Sequence, residues 1–131
     1  MNILRQEIRK CMTLSAKETA DGVVARFTFP EDFTGFKGHF PSGPILPGVC
    51  KIQALIVLAE VISGRVFEIK EIKEAKFFSP VFCNEEVVFE YSENISDEKE
   101  VIIKANVSCA DRKIAKMELA GHFVFKKEVT S

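Results

Sequence analysis

The sequence predicts an α+β fold in which an antiparallel sheet curls round one long, buried helix. Eight of the ten residues 53–62 are apolar, and they lie on every side of a helix rather than on one stripe, which indicates burial on most faces. After Gly64, segments of alternating apolar and polar residues are separated by short polar turns, a pattern typical of consecutive antiparallel strands. The 131 residues are long enough for a sizeable core, so we expect a single domain over residues 1–131.

The first third of the chain gives weaker signals. Residues 1–10 are compatible with either a helix or an irregular segment. Residues 11–17 and 23–30 show mild alternation on either side of a turn at residues 20–22, so they are interpreted as a hairpin. Residues 31–37 are expected to form a loop.

The centre of the chain combines a rigid loop with the long helix. Residues 38–48 contain three prolines and three glycines, which exclude regular helix or strand. Pro47 suits the first position of a helix, and Gly64 is a typical helix stop. We therefore predict a helix over residues 47–63. Its length is shorter than a typical membrane span, and polar residues interrupt it, so a protein core is the better interpretation.

The last half of the chain is predicted to form strands. Residues 66–78 are rich in β-branched and aromatic side chains, and Pro80 interrupts pairing after them. The turns predicted at residues 83–85, 96–100 and 111–112 separate three further strands, at residues 87–95, 101–110 and 113–125. An uncovered sheet edge beside an apolar helix predicts association with a second copy of the chain.

Composition excludes several classes of function. The net charge of −1 gives no electrostatic basis for binding nucleic acid or an anionic membrane. The four cysteines show no CxxC spacing and the two histidines are far apart, so neither a metal site nor another cofactor is expected. The first residues carry scattered charges and no apolar run, unlike a signal peptide, so we expect a cytoplasmic protein with reduced thiols.

Residues 38–49, GHFPSGPILPGV, resemble the signature of the β-hydroxyacyl-acyl-carrier-protein dehydratases of the hotdog fold, with Ser42 where that pattern has glycine. A second likeness, at residues 74–77 and 79–81, extends the resemblance to about residues 33–125. The resemblance implies a hotdog fold and a homodimer, often with three dimers together. It also implies active sites at the dimer interface and an acyl chain on the phosphopantetheine arm of an acyl carrier protein, or on coenzyme A, as the substrate.

The resemblance also assigns roles to individual residues. It implies that His39 is the catalytic base, and imidazole has a free pKa near the operating pH. The family's acid lies on the central helix of the partner subunit, at the position of Gln53, where Glu or Asp is usual. A carboxamide can orient a hydroxyl or a water, but it has no proton to donate as an acid.

Other residues are candidates to replace the missing acid or to contact the substrate. Glu60 shares a helix face with Gln53 but lies about 10 Å further along the helix. Cys50 lies one turn back, and a thiol is a mediocre acid. The remaining candidates bind substrate, through the unpaired backbone amides of the first helical turn and through the adjacent loop: Gly48, Val49, Pro47 and Phe40.

Three functions therefore stay open. The chain is a dehydratase in which Gln53 positions a hydroxyl or water, or a non-catalytic, acyl-thioester-binding half of a heterodimer, or an acyl thioesterase. His122 lies in a strand pattern and is interpreted as structural. Lys51 is one of several basic residues that are either solvated or face an acidic carrier protein. The phenylalanines are expected to be mainly core, with some lining an acyl tunnel, and they include Phe36, Phe77 and Phe78.

Overall fold

The computed structural model describes residues 3–19, 22–37 and 45–125. Two helices, a short 3-10 turn at Thr34–Phe36 and six strands make up this part of the chain. In chain order, the helices and strands are α1 (Ile3–Lys10), β1 (Met12–Thr19), β2 (Gly22–Thr28), α2 (Gly48–Ser63), β3 (Val66–Phe77), β4 (Glu86–Ile95), β5 (Val101–Cys109) and β6 (Arg112–Val124).

The six strands form one antiparallel sheet in the order β1-β2-β4-β5-β6-β3. The predicted hairpin of β1 and β2 and the consecutive strands β4, β5 and β6 are confirmed. β3 lies at the sheet edge beside β6, where Ile69 is paired with Gly121. The helix α2 is therefore connected directly to an edge strand rather than to the middle of the sheet.

The helix α2 is buried as predicted, but it begins one residue later. Pro47 is the residue before the helix, because its ψ of 149° is extended. Gly64 ends the helix in the left-handed conformation at φ 70°, and its N–H donates to the Glu60 carbonyl. Residues 54–59 are all less than 5% exposed. Within the described ranges, neither α1 nor α2 is long and apolar enough to cross a bilayer.

The ambiguous N-terminal segment is the eight-residue helix α1, which packs on α2. Ile8 is fully buried and anchors α1 to the core. The Cys11 N–H donates to the Ile8 carbonyl, and the Cys11 carbonyl accepts from the Thr28 N–H, so the end of α1 is fixed to the hairpin. Burial of one apolar side chain and these two bonds give this short helix a defined position.

The expectation that the phenylalanines are mainly core is wrong at the end of β3. Phe36 is buried, but Phe77 and Phe78 are 45% and 48% exposed. Ile69 and Ile72 of the same strand are also large exposed apolar side chains. The edge strand therefore has an uncovered apolar surface, and this surface ends next to the start of α2.

Candidate active site

The start of α2 is held in place by strand-like contacts on the residues before it. The Leu46 N–H donates to the Val81 carbonyl at 2.8 Å, and Ile45 forms an isolated antiparallel bridge with Phe82. Pro47 then turns the chain into the helix. The first amides of a helix have no acceptor within it and carry a partial positive charge, so those of Gly48 and Val49 suit an anionic oxygen.

Phe77 connects the end of β3 to the start of α2. A Cβ atom on Gly48 would lie 2.8 Å from Cε2 of the Phe77 ring and 3.0 Å from its Cζ. Real Cβ atoms do not approach that closely, so glycine allows this contact between ring and backbone. The Lys51 ammonium lies 5.1 Å from the centroid of the same ring. One partly exposed ring therefore contacts both the first turn of α2 and a lysine one turn further on.

The Lys51 side chain is buried, whereas most basic side chains are solvated. It is 4% exposed, and this burial lowers the pKa of its ammonium below the ordinary value. The nearby Cys50 acts weakly in the opposite direction. Residues 51 and 53 project from roughly opposite sides of a helix, so Lys51 and Gln53 lie on different surfaces of α2.

Replacing Lys51 with methionine should increase the free energy of unfolding at neutral pH, because a buried charge is removed. The gain should shrink as the pH rises toward 10.5, the ordinary lysine value. Between the lowered native pKa of Lys51 and 10.5, the unfolded wild-type chain binds more protons than the native chain. The wild type therefore becomes more stable as the pH rises, whereas Lys51→Met does not. Urea unfolding of both proteins at several pH values measures this difference.

The matched control is Lys37→Met, because Lys37 is exposed. Its free energy of unfolding, relative to wild type, should not vary with pH in this range. A Lys51→Met gain that is constant from neutral to alkaline pH would contradict a buried, perturbed ammonium.

Gln53 is half-buried, and its side chain is engaged by α1. The Gln53 Oε1 accepts a hydrogen bond from Arg5 Nε. Arg5 Nη1 lies 4.0 Å from Glu60 Oε2, and the same Glu60 oxygen accepts from the Phe67 N–H at 2.8 Å. The predicted shared face of Gln53 and Glu60 is confirmed, since one guanidinium reaches both residues.

The Arg5 contact determines which way the Gln53 amide points. An arginine Nε–H can only donate, so the amide group facing it must be the oxygen. The Gln53 amide nitrogen therefore points away from Arg5, with two N–H groups to offer. Position 53 presents a hydrogen-bond donor that carries no acidic proton.

Cys50 does not replace the missing acid. Its side chain is 2% exposed, and its Sγ would lie 2.9 Å from a Cβ placed on Gly35. Burial raises the pKa of the Cys50 thiol, and the Glu7 carboxylate raises it further. A thiol with a raised pKa gives up its proton less readily, so Cys50 is best described as part of the core.

His39 and Phe40 lie outside the described residues, as do the other residues of 38–44. Their roles stay predictions, together with those of Pro47, Gly48, Val49 and Gln53.

Sequence reasoning missed Arg5 and the exposed ring of Phe77. A signal for Arg5 was present, because Leu4 and Ile8 are four residues apart and therefore share one face of a helix, with Arg5 beside it. The exposure of Phe77 follows from its place at the end of an edge strand, which no local pattern indicates.

The model of the ApeI-like family, described as ApeI dehydratase, matches residues 15–118 of the chain. The chain belongs to the ApeI-like dehydratase family. The match begins within β1 and ends within β6, so it includes the whole of α2 and the signature residues that precede it.

Curated relatives of this ApeI-like chain include 3-hydroxyacyl-acyl-carrier-protein dehydratases named FabZ. The FabZ of Sulfurovum sp. (strain NBC37-1) is 34% identical over 106 residues, covering 70% of each chain. The FabZ of Novosphingobium aromaticivorans is 42% identical over 55 residues, or 35% of each chain. The ApeI-like chain spans only 35%, 44% and 47% of the length of three such relatives.

Solved structures similar to the ApeI-like chain confirm the hotdog fold. The dehydratase heterocomplex ApeI:P from Xenorhabdus doucetiae aligns with a TM-score of 0.66 at 18% identity, covering 84% of this chain and 95% of that chain. A hypothetical thioesterase with coenzyme A from Streptococcus pneumoniae aligns with a TM-score of 0.67 at 7% identity, covering 95% and 97%. At these identities the two structures show the shared fold alone.

Proposed function

We propose that this chain is a cytoplasmic β-hydroxyacyl-thioester dehydratase that acts on acyl chains carried by an acyl carrier protein and gives trans-2-enoyl thioesters. The observation that carries the proposal is the position of the signature motif. Its described residues, 45–49, run directly into the first turn of α2, where the backbone amides lie beside the partly exposed Phe77 ring. Membership of a dehydratase family supports the same reaction.

The first half of the reaction needs a base and an oxyanion site. In this proposal His39 removes the proton α to the thioester carbonyl, and the electron pair moves onto the carbonyl oxygen. The amides of Gly48 and Val49 hold that oxygen, and the helix dipole favours its negative charge. A donor of this kind typically contributes about 100- to 1000-fold in rate. Phe40 and Pro47 complete the substrate-binding loop.

The second half requires the β-hydroxyl to leave as water. Gln53 donates an amide N–H to the hydroxyl oxygen and orients it, while protonated His39 returns its proton to the same oxygen. The Cα–H and Cβ–O bonds break, a carbon–carbon double bond forms, and one water is released. His39 therefore serves as base and then as acid, because a carboxamide has no proton to give.

We further propose that the active unit is a homodimer in which each protomer supplies Gln53 to its partner's site. The edge strand β3 supports this, since Ile69 and Ile72 are 40% and 50% exposed and its backbone edge is available for pairing. Phe77 ends the same strand and touches Gly48, so association along β3 would place a second chain next to the site.

A second candidate function is a non-catalytic half of a heterodimer. Two observations favour it: Gln53 stands where a carboxylate is usual, and one similar structure is a dehydratase heterocomplex. In this case a different partner subunit would supply the acid.

The purified protein alone should convert 3-hydroxyacyl thioesters of acyl carrier protein to enoyl thioesters, and hydrate trans-2-enoyl thioesters in reverse. Product formation is followed by mass spectrometry across a range of chain lengths, and free thiol is assayed in parallel. We expect enoyl product without thiol release. Inactivity alone, with activity gained on adding a carboxylate-bearing homologue, would favour the heterodimer, and thiol release would identify a thioesterase.

A further inference from the structure

We propose that Arg5 is a positioning residue that makes position 53 a hydrogen-bond donor, and that it would keep a carboxylate at this position ionised. The contact between Arg5 and Gln53 is a property of the folded chain. Its consequence for catalysis rests on the proposed dehydratase function.

Arg5 contacts two residues of α2, Gln53 and Glu60. Its guanidinium donates through Nε to Gln53 and approaches Glu60 through Nη1. Glu60 is in turn fixed by the Phe67 N–H at the start of β3. The side chains of Arg5 and Glu60 are 29% and 25% exposed, so solvent screens this group of charges only in part.

A planar guanidinium can contact the Gln53 oxygen and the Glu60 carboxylate at the same time better than another cation could. Its donors point in fixed directions, so one edge can serve an amide oxygen while another faces a carboxylate. The helix that carries it is anchored by Ile8, which is fully buried one turn further along α1. The Gln53 oxygen is thereby turned toward Arg5, and its amide nitrogen is the group that can donate to a substrate oxygen.

This arrangement predicts the outcome of restoring the family's usual acid. In Gln53→Glu the introduced carboxylate would lie against the Arg5 guanidinium, and an opposite charge at that distance lowers a carboxyl pKa by about 1–3 units. Glu60 acts in the opposite direction, but it lies two turns further along and already accepts from Phe67. The introduced carboxylate would stay ionised near neutral pH and could not protonate a leaving hydroxyl.

Other charged groups on the elements around α2 are engaged elsewhere. Glu7 of α1 accepts from the Thr34 N–H, and Lys51 lies against Phe77 on the far side of the helix. The strand cations near their own carboxylates are Lys70 with Glu100, Lys73 with Glu71, Lys76 with Glu74, and Lys104 with Glu118. Among the residues that the structure describes, Arg5 is therefore the cation in direct contact with position 53.

The decisive experiment titrates the introduced carboxylate without any substrate. Selectively labelled Gln53→Glu and Arg5→Gln/Gln53→Glu proteins are followed by carboxyl carbon NMR. We expect a pKa below the ordinary glutamate value in the single variant, and a rise of about one unit or more when the arginine charge is removed. Arg9→Gln/Gln53→Glu is the matched control, because Arg9 is exposed on the same helix, and it should titrate like the single variant.

An unchanged titration in the Arg5→Gln background would overturn the proposal. If Arg5→Gln fails to fold, judged by circular dichroism, Arg5→Met provides the same neutralisation with good helix propensity. Because this readout needs no turnover, it stands even if the dehydratase assay fails.

Kinetics then test the catalytic consequence in an active wild type. Arg5→Gln should lower kcat about tenfold with little change in KM, since an amide that is free to rotate is misplaced in the transition state. The double variant Arg5→Gln/Gln53→Glu should gain a limb in its kcat–pH profile where activity falls as the new acid ionises. Equal effects of Arg5→Gln and Arg9→Gln on kcat, with no new limb, would refute a positioning role.

Discussion

Replacing His39 with alanine should reduce kcat by about 100- to 10,000-fold, the range expected when general acid–base catalysis is removed. The loss should lie toward the upper end, because His39 is proposed to move the proton twice and Gln53 cannot take over either step. Substrate affinity should change little, since the amides of Gly48 and Val49 and the acyl contacts remain. Steady-state kinetics with a 3-hydroxyacyl thioester separates kcat from KM.

The chain's other histidine is the matched control. His122 is exposed on β6, opposite Glu68 of β3, and we expect His122→Ala to retain nearly full activity. Comparable losses in the two variants would indicate a general requirement for histidine in folding rather than catalysis. Full activity of His39→Ala would refute the mechanism.

Replacing Gly121 with alanine should lower the free energy of unfolding by about 3 kcal/mol, the upper end of the usual cost of overpacking. A Cβ at this position would overlap the Glu68 carbonyl oxygen and lie 2.8 Å from the Phe67 ring. Neither backbone nor a packed aromatic ring moves cheaply, so β3 must shift away from β6. Thermal or urea unfolding at a fixed protein concentration measures the loss, because association would otherwise contribute.

Gly64→Ala separates this steric effect from ordinary glycine strain. Gly64 has φ 70°, but a Cβ there would meet no atom within 4 Å. The substitution should therefore cost only about 1–2 kcal/mol, the penalty for a left-handed residue with a side chain. If Gly121→Ala is no more destabilising than Gly64→Ala, the close approach of β3 to β6 is not as described.

Local sequence patterns were sufficient to predict most elements of the fold. The strands β4, β5 and β6 follow from alternation and polar turns, and α2 follows from its apolar density and from Gly64. The place of β3 could not be predicted in this way. Its pairing with β6 joins Val66 to Val124, which are far apart in the chain, and alternation within a strand does not identify such a partner.

The sequence could predict the candidate site only where its residues are adjacent in the chain. The motif that contains His39 and leads to Gly48 is a continuous stretch, so a resemblance could identify it. Arg5 contacts Gln53 from a distant part of the sequence, and its segment gave too weak a signal to be placed on α2. The burial of Lys51, whose ammonium lies over the ring of Phe77 on the following strand, is likewise not indicated by the composition of α2.

Phe77 is part of the exposed apolar surface of β3 and also contacts the start of α2, so its surroundings should change in dilute solution. Phe77 is 45% exposed in the single chain, and its ring also contacts Gly48 and lies near Lys51. In the proposed mechanism, solvent that reaches the exposed Phe77 side chain raises the local dielectric around the amides at the start of α2, and those amides would then stabilise a developing negative charge less. If the proposed homodimer is dissociated, each protomer should therefore lose rate enhancement while its internal contacts persist.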